Sequence, residues 1–528
     1  MTSTITSVGH GVQQTHSARA RWIALAVLCL SLIVIALDAT IVNVATSTIS
    51  TKLHTSENQL QWIVDAYTLV FAALLLTCGN LADRFGRRTG LIVGLTVFGA
   101  GSFAAALSTS AAQLIVFRGG MGLGAAFIMP ATLSSISHLF RNPVERTRAL
   151  SIWSATLGIG AVLGPLIGGK LLQAYSWESV FWVNIPIAVI GIALALMYVP
   201  NSKHKAGRID IVGLVISILA LGSLVWAIIE GPVKGWGTLS IVWAFVVAAL
   251  ALAAFVLWEL KTDHPLLPMH FFKNPRFSMA TLSISTAYFG LMGALFLSTQ
   301  FIQSVLGNNP LQTGLRVAPE ALSIAVFALV AEKLVHRAGT KFTVVGGLVI
   351  MAVGLLLLSL TPKGTAYMHL LPALICLGAG IGATMAACED SVIGSLPQGQ
   401  MGTGTAVNST LIQVGSTIGV AVFGSLENTL YQKHMIQHVQ GLRLPPGIAT
   451  QMTKSISITN VVANHLGTAY SATVHGFANS AFIHGFDRAS LVGCFAALAA
   501  AVLALAWLPA RHRAPHKQSL DQEVGEVL

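Results

Sequence analysis

The sequence predicts an all-α integral membrane protein of fourteen spans with both termini in the cytoplasm. Three observations carry that prediction. Only 9% of the 528 residues are charged while 54% are hydrophobic, against roughly 25% charged in an ordinary soluble domain. Uncharged stretches such as 22–37, 211–229 and 491–508 match the roughly 17 to 25 apolar residues that cross a bilayer core of about 30 Å, and they recur along the whole chain. Positive charge gathers in alternate connections, which orients such a chain with those connections inside.

Taken in order, the spans start near residues 22, 60, 89, 112, 148, 179, 211, 239, 279, 317, 342, 368, 403 and 489. The first follows Arg19 and Arg21 and runs on apolar, apart from Asp38, well past the length of a signal-peptide core, so it reads as a span and not a cleaved leader. Connections after even-numbered spans carry Arg84, Arg87 and Arg88; then Arg141, Arg146 and Arg148; then Lys203, Lys205 and Arg208; then Lys261, Lys273 and Arg276; then Lys333, Arg337 and Lys341. The intervening ones hold few cations, among them Lys52, Lys234 and Lys363, and the last span exits into Arg511, Arg513 and Lys517. One inner connection, near Pro397, carries neither Lys nor Arg.

An internal repeat divides the spans. GNLADRFGRR after the second span aligns with EKLVHRAGTK after the tenth, pairing Leu81 with Leu334, Arg84 with Arg337, Gly86 with Gly339 and Arg88 with Lys341. Two related six-span halves separated by two extra spans produce that offset, and internal repeats rocking about a midplane site are how secondary transporters are built. The expected organisation is a cytoplasmic tail over 1–21, a first six-helix bundle over 22–200, two extra spans with linkers over 201–278, a second bundle over 279–510 and a cytoplasmic tail over 511–528. Within the second bundle, a long external segment over 428–487 holds His434, His438, His465, His475 and His484 and reads as a solvated, partly helical loop.

Several function classes fall away. The formal charge of +11 is spread over alternate loops and not gathered in a patch, so nucleic acid is not an expected partner. The five cysteines lie in or beside apolar segments without metal-ligand spacing and read as packed free thiols. No enzyme constellation, cofactor or metal site is expected, because most histidines lie away from the apolar acids.

Charges inside the apolar phase point to function, since each costs about 2.5 to 3.5 kcal/mol at mid-membrane and is kept where it faces a cavity or a partner. At 1.5 Å per residue, Asp38 lies roughly 13 Å inside the outer end of the first span, with Asp65 and Arg118 roughly 9 Å inside theirs. Two acids and one base at one depth can exchange partners, and a carboxylate in such surroundings holds a proton or releases it as a cation approaches. A fixed structural ion pair between Asp38 and Arg118 is the plainer alternative. Asp65 is flanked by Trp62 and Tyr67, and a carboxylate with aromatics suits a lipophilic cation. Glu320, near the mouth of the tenth span, and Glu389 with Asp390, near the inner end of the twelfth, are further substrate-binding candidates.

GIGAVLGPLIGGKL, from Gly158 to Leu171, imitates a phosphate-binding loop but lacks the Ser or Thr that holds Mg²⁺. Gly160, Gly164 and Gly168 instead recur every four residues and line one helix face, where small residues let a neighbouring backbone come close. Pro165 breaks the hydrogen-bond ladder, and Lys170 snorkels to the outer surface.

These segments resemble the major facilitator superfamily, specifically the 14-spanner drug:proton antiporters of the EmrB/QacA type. LDATIVNVA from Leu37, GNLADRFGRR from Gly79, RGGMGLGAA from Arg118 and the stretch just described are similar to that family's motifs in this order. The resemblance implies a major facilitator fold with proton coupling at Asp38 and Arg118. It implies a cytoplasmic gating loop of Gly79, Asp83, Arg84, Gly86, Arg87 and Arg88, and an antiporter hinge of Gly160, Gly164, Pro165, Gly168 and Gly169. Thr46 and Ser47 replace the family's usual Leu-Pro. The expected function is export of lipophilic, often cationic drugs or antiseptics across the cytoplasmic membrane, driven by a proton gradient, by a monomer. The alternative is a dedicated exporter of one endogenous metabolite, lipid, peptide or self-made antibiotic.

Overall fold

The computed structural model of the chain describes residues 18–140, 142–202, 210–362, 366–396, 401–439, 446–465 and 468–509. Arg141, Lys203, Lys205, Arg208, Lys363, Pro397, Arg511, Arg513, Lys517, the side chain of His465 and most of both expected tails lie outside the described residues. Seventeen α-helices follow in chain order: α1 (Ala18–Leu53), α2 (Glu57–Phe85), α3 (Arg87–Ala106), α4 (Ala111–Leu139), α5 (Pro143–Ala174), α6 (Ser179–Trp182), α7 (Asn184–Tyr198), α8 (Ile211–Lys234), α9 (Leu239–Glu259), α10 (Pro275–Gln300), α11 (Pro310–Ala338), α12 (Thr340–Ser359), α13 (Tyr367–Gly394), α14 (Met401–Val439), α15 (Pro446–Met452), α16 (Ile456–His465) and α17 (Thr468–Trp507). Among the described residues, fourteen segments are long and apolar enough to cross a membrane, with α6 and α7 together making the sixth.

Helix starts follow the local chemistry. Asn309 accepts from the Gln312 backbone N–H at 2.8 Å while the Gln312 side chain accepts from the Asn309 backbone at 3.2 Å, and Pro310 takes the first helical position of α11, where its missing N–H costs nothing. Asp210 caps α8 through the Gly213 N–H at 2.8 Å.

The packing repeats itself. In the first half α1 packs on α5, α2 and α3 on α4, and α3 on α7; in the second, α10 packs on α14, α11 and α12 on α13, and α12 on α17. The halves meet where α2 crosses α14 and, equivalently, where α5 crosses α11, while α8 and α9 form a hairpin whose α8 rests against α2 and α14. The aligned glycines repeat too. Gly86, between α2 and α3, has φ +120° and donates its N–H to Ala82; Gly339, between α11 and α12, has φ +87° and donates to Val335. Both are backbone conformations that side chains resist.

One expectation is corrected. The segment 428–487 is helical as expected in part but not solvated throughout, because α14 runs on to Val439 and α17 already begins at Thr468, some twenty residues before the apolar run that marked the last span, and Tyr431, Met435, Met452, Ile456 and Phe482 are buried. Polar helical turns prolong both helices, and hydropathy alone ends a span where polarity begins. The start of α16 packs on the end of α1, with Ser457 Oγ 3.3 Å from Ser47 Oγ and Ser455 Oγ 3.3 Å from Ser50 Oγ, and α14 holds α16 where Tyr431 Oη lies 2.7 Å from Thr459 Oγ1.

Candidate functional site

Asp38 and Arg118 meet inside the first half. Both are essentially fully buried, and Arg118 Nη1 donates to Asp38 Oδ2 as an ion pair between α1 and α4. A buried pair repays its desolvation only where further hydrogen bonds satisfy both partners, and here they do. Arg118 Nε donates to the Ile63 carbonyl at 2.9 Å, and the Tyr67 ring lies 4.5 Å from the guanidinium carbon. Asn184 Nδ2 lies 3.1 Å from Asp38 Oδ1 and 3.2 Å from Ser102 Oγ, and Ser102 donates to the Phe181 carbonyl at 2.8 Å. Five segments of one half therefore converge on a single carboxylate. Asn184 and Ser102 escaped the sequence reading, since neither is charged.

Neighbouring residues of α1 grip the glycine face of α5. A Cβ at Gly160 would come within 2.5 Å of Ala36 Cβ, one at Gly164 would collide with Thr40 Oγ1, and one at Gly168 would come within 2.6 Å of Ile41 Cγ1. Gly169 turns the other way, 2.6 Å from the Pro310 carbonyl by the same construction, and a Cβ at Gly314 of α11 would collide with the Pro165 carbonyl. The five residues of the expected hinge therefore form two close contacts, one with α1 and one with α11 across the seam. Lys170 is exposed.

Asp65, fully buried on α2, has no hydrogen-bond partner for either carboxylate oxygen. Of the two aromatics flanking it in sequence, Tyr67 stands about 200° around α2 from Asp65, and Trp62, one turn back, bonds elsewhere. Tyr67 lies under Arg118, whereas Trp62 donates its indole N–H to Glu230 of α8 at 3.3 Å and packs on Val225, Ile229 and Ala421. Glu320 resembles Asp65, being 2% exposed with both oxygens unpartnered. It lies three turns into α11 and not at its mouth, because that helix begins at Pro310. Glu389 is half-buried on α13, whereas Asp390 is exposed beside it.

The gating-loop residues form a defined turn. Arg87 Nε pairs with Asp83 Oδ1 at 2.9 Å, and the Arg87 N–H donates to the Ser202 carbonyl at 3.0 Å. A Cβ at Gly86 would collide with Asn201, and one at Gly79 would sit 3.2 Å from Pro130. Arg84 is exposed beside Phe85 and Arg88 is half-buried.

Hydrogen bonds that cross between the halves gather at the end where α1 passes into α2. Gln300 donates to Glu57 at 2.8 Å, Gln303 to the Val44 carbonyl at 2.7 Å and Ser425 to Gln61 at 3.2 Å.

Comparison with known proteins agrees with this architecture. The description of the Major Facilitator Superfamily matches residues 28–420. The chain is 35% identical over 398 residues to the multidrug resistance protein Stp of Mycobacterium tuberculosis, covering 75% of this chain and 74% of that protein. It is 32% identical over 440 residues to the multidrug efflux pump LfrA of Mycolicibacterium smegmatis, covering 83% and 86%. In fold it is similar to a bacterial homologue of the human lysosomal transporter Spinster, with a TM-score of 0.65 at 18% identity over 95% of this chain and 100% of that one. Fourteen membrane-length segments among the described residues, twelve of them in two equivalent bundles, with these relatives, establish that the chain belongs to the Major Facilitator Superfamily, as a multi-pass membrane transporter in the family of the multidrug resistance and efflux proteins it resembles.

Proposed function

We propose that this transporter exports lipophilic, often cationic drugs or antiseptics in exchange for protons, by alternating access across the cytoplasmic membrane. One observation carries the coupling: the same two turns of α1 that hold Arg118 through Asp38 also grip the glycines of α5, the helix that crosses to the other half. Ala36, Leu37, Thr40 and Ile41 face α5 and its glycines, while Asp38, about 200° around the helix from Ala36, holds Arg118 of α4. A proton on Asp38 removes the negative charge that ties α1 to α4 and leaves the guanidinium with the Ile63 carbonyl and the Tyr67 ring. The resulting shift of α1 is passed to α5, and through Gly169 and Pro165 to α11 of the other half.

Asp65 and Glu320 support the cargo reading. A buried carboxylate without partners is costly unless it is protonated or a cation joins it, and one such group stands in each half. A cation entering between the halves would find an acid on α2 and another on α11. One relative is named for resistance to methyl viologen, which fits an organic compound as cargo. Relatives named for methylenomycin A resistance and for tetracenomycin C resistance and export favour the second reading, a dedicated exporter of one antibiotic or metabolite, which would use the same coupling.

The test is uptake of a fluorescent organic cation into vesicles carrying the purified protein under an imposed pH gradient. Gradient-driven uptake is expected in the wild type and not in Asp38→Asn. Uptake that persists with the gradient collapsed, or in Asp38→Asn, overturns proton coupling through this carboxylate.

A further inference from the structure

Two carboxylates outside the ion pair and the cargo sites stand on opposite sides of the seam. Glu57 opens α2 and Glu427 lies in α14, each 2% exposed, on helices joined close to both acids where Ser425 Oγ donates to Gln61 Oε1 at 3.2 Å. Ion pairs among the described residues join Arg21 to Glu145, Arg87 to Asp83, Arg118 to Asp38 and Lys234 to Glu230, so neither Glu57 nor Glu427 is held by a cation. Glu57 Oε1 accepts from Gln300 Nε2 at 2.8 Å; Gln300 is fully buried, and its own Oε1 has no hydrogen-bond partner. The same amide thus presents an occupied donor and an empty acceptor beside Glu57. An ionised carboxylate can use only the donor, whereas a carboxyl bearing a proton can also fill the acceptor.

The surroundings close over this pair. Gly485 of α17 packs so tightly that a Cβ there would come within 2.9 Å of the Glu427 carbonyl oxygen, and Tyr431, one turn beyond Glu427, is tied to Thr459 at 2.7 Å. The Glu57 N–H donates to the Lys454 carbonyl at 3.2 Å, while the Lys454 side chain is exposed. Other titratable groups on neighbouring elements are Lys52 on α1, Glu230 and Lys234 on α8, paired with each other at 3.6 Å, Tyr431 and His434 on α14, and His484, Asp487 and Arg488 on α17.

We propose that Glu57 and Glu427 form a second proton-binding site, one that seals the α1–α2 end of the transporter: together they hold one proton while the halves are closed there and release it when the halves part. Two ionised carboxylates shut into one seam repel without a counter-cation; one shared proton, with Gln300 as donor and acceptor, removes that repulsion. On opening, the carboxyl O–H breaks, its electron pair stays on the carboxylate, the proton passes to water and both groups are hydrated. Acid therefore closes this end and alkali opens it. Assigning this end to the outside rests on the orientation adopted for the exporter, but the pH response does not.

The test uses the full chain in lipid nanodiscs, with native cysteines replaced and nitroxide labels at the exposed positions Lys52→Cys and Lys433→Cys. Double electron-electron resonance would read their separation between about pH 5 and about pH 9. The long-distance population should grow as pH rises, its ratio to the short one changing by no more than about tenfold per pH unit, the slope for one proton. Glu57→Gln and Glu427→Gln should each flatten the profile and keep the short distance at alkaline pH, and either one decides the matter if the other does not fold. Asp38→Asn should retain a pH response. A wild-type separation that ignores pH, or a profile unchanged in the folded Gln variants, overturns the proposal. The measurement needs no cargo and no gradient, so its outcome is separate from that of the transport assay.

Discussion

A single guanidinium organises the most buried charge in this protein, and what happens on removing it depends on what it leaves behind. Arg118→Ala should destabilise the folded protein by about 3 to 5 kcal/mol, because Asp38 would stay buried without a counter-charge; thermal unfolding in detergent reads the loss. Arg118→Ala combined with Asp38→Asn should be less destabilised than Arg118→Ala alone, since no unpaired charge remains. Asp65 poses a different problem, because its oxygens have no partner to lose. Asp65→Asn should therefore leave stability nearly unchanged while weakening export of cationic cargo more than of neutral cargo, measured side by side in the same vesicles. Equal loss for both would favour a structural role.

Helices α1, α5 and α11 act as one stack, and its tolerances differ sharply along α5. Gly164→Ala should cost about 1 to 3 kcal/mol, the range for overpacking a tight contact, because its Cβ meets Thr40 and the Leu37 carbonyl at 2.9 Å. Gly158→Ala, with nothing within 4 Å, should be nearly silent and serves as the control on the same helix. Turns between helices are constrained in another way. Gly86→Ala and Gly339→Ala should each cost about 1 to 3 kcal/mol, since both backbones sit at positive φ. Similar losses at the two sites would show that the turns are equivalent in energy as well as in shape.

Across the whole molecule, the even number of crossings and the basic loops make a topological prediction. Reporters fused to the two ends should both be cytoplasmic, and a cysteine at Lys234 should react with an impermeant thiol reagent from outside while one at Arg84 should not. Opposite accessibility would reverse the polarity assumed for export and leave the two-bundle packing untouched. The halves join at the α1–α2 end through Gln300, Gln303 and Ser425, so movement about this seam must exchange those bonds for water.

Much of this was legible in the sequence because a bilayer imposes simple rules. Span length, sparse charge and alternating basic loops determined the class and the number of crossings, and the repeat around Gly86 and Gly339 announced two equivalent halves. Asp38, Asp65 and Arg118 stood out because hydrocarbon rejects charge. Tertiary structure alone decided which of them pair, that Tyr67 serves Arg118 and Trp62 serves Glu230, and that α16 packs onto the end of α1. It alone brought the start of α2 to α14, where Ser425 donates to Gln61. Hydropathy records how each residue meets its solvent along one segment, whereas the partner of a buried polar group is set by helices distant in sequence, which only packing brings together.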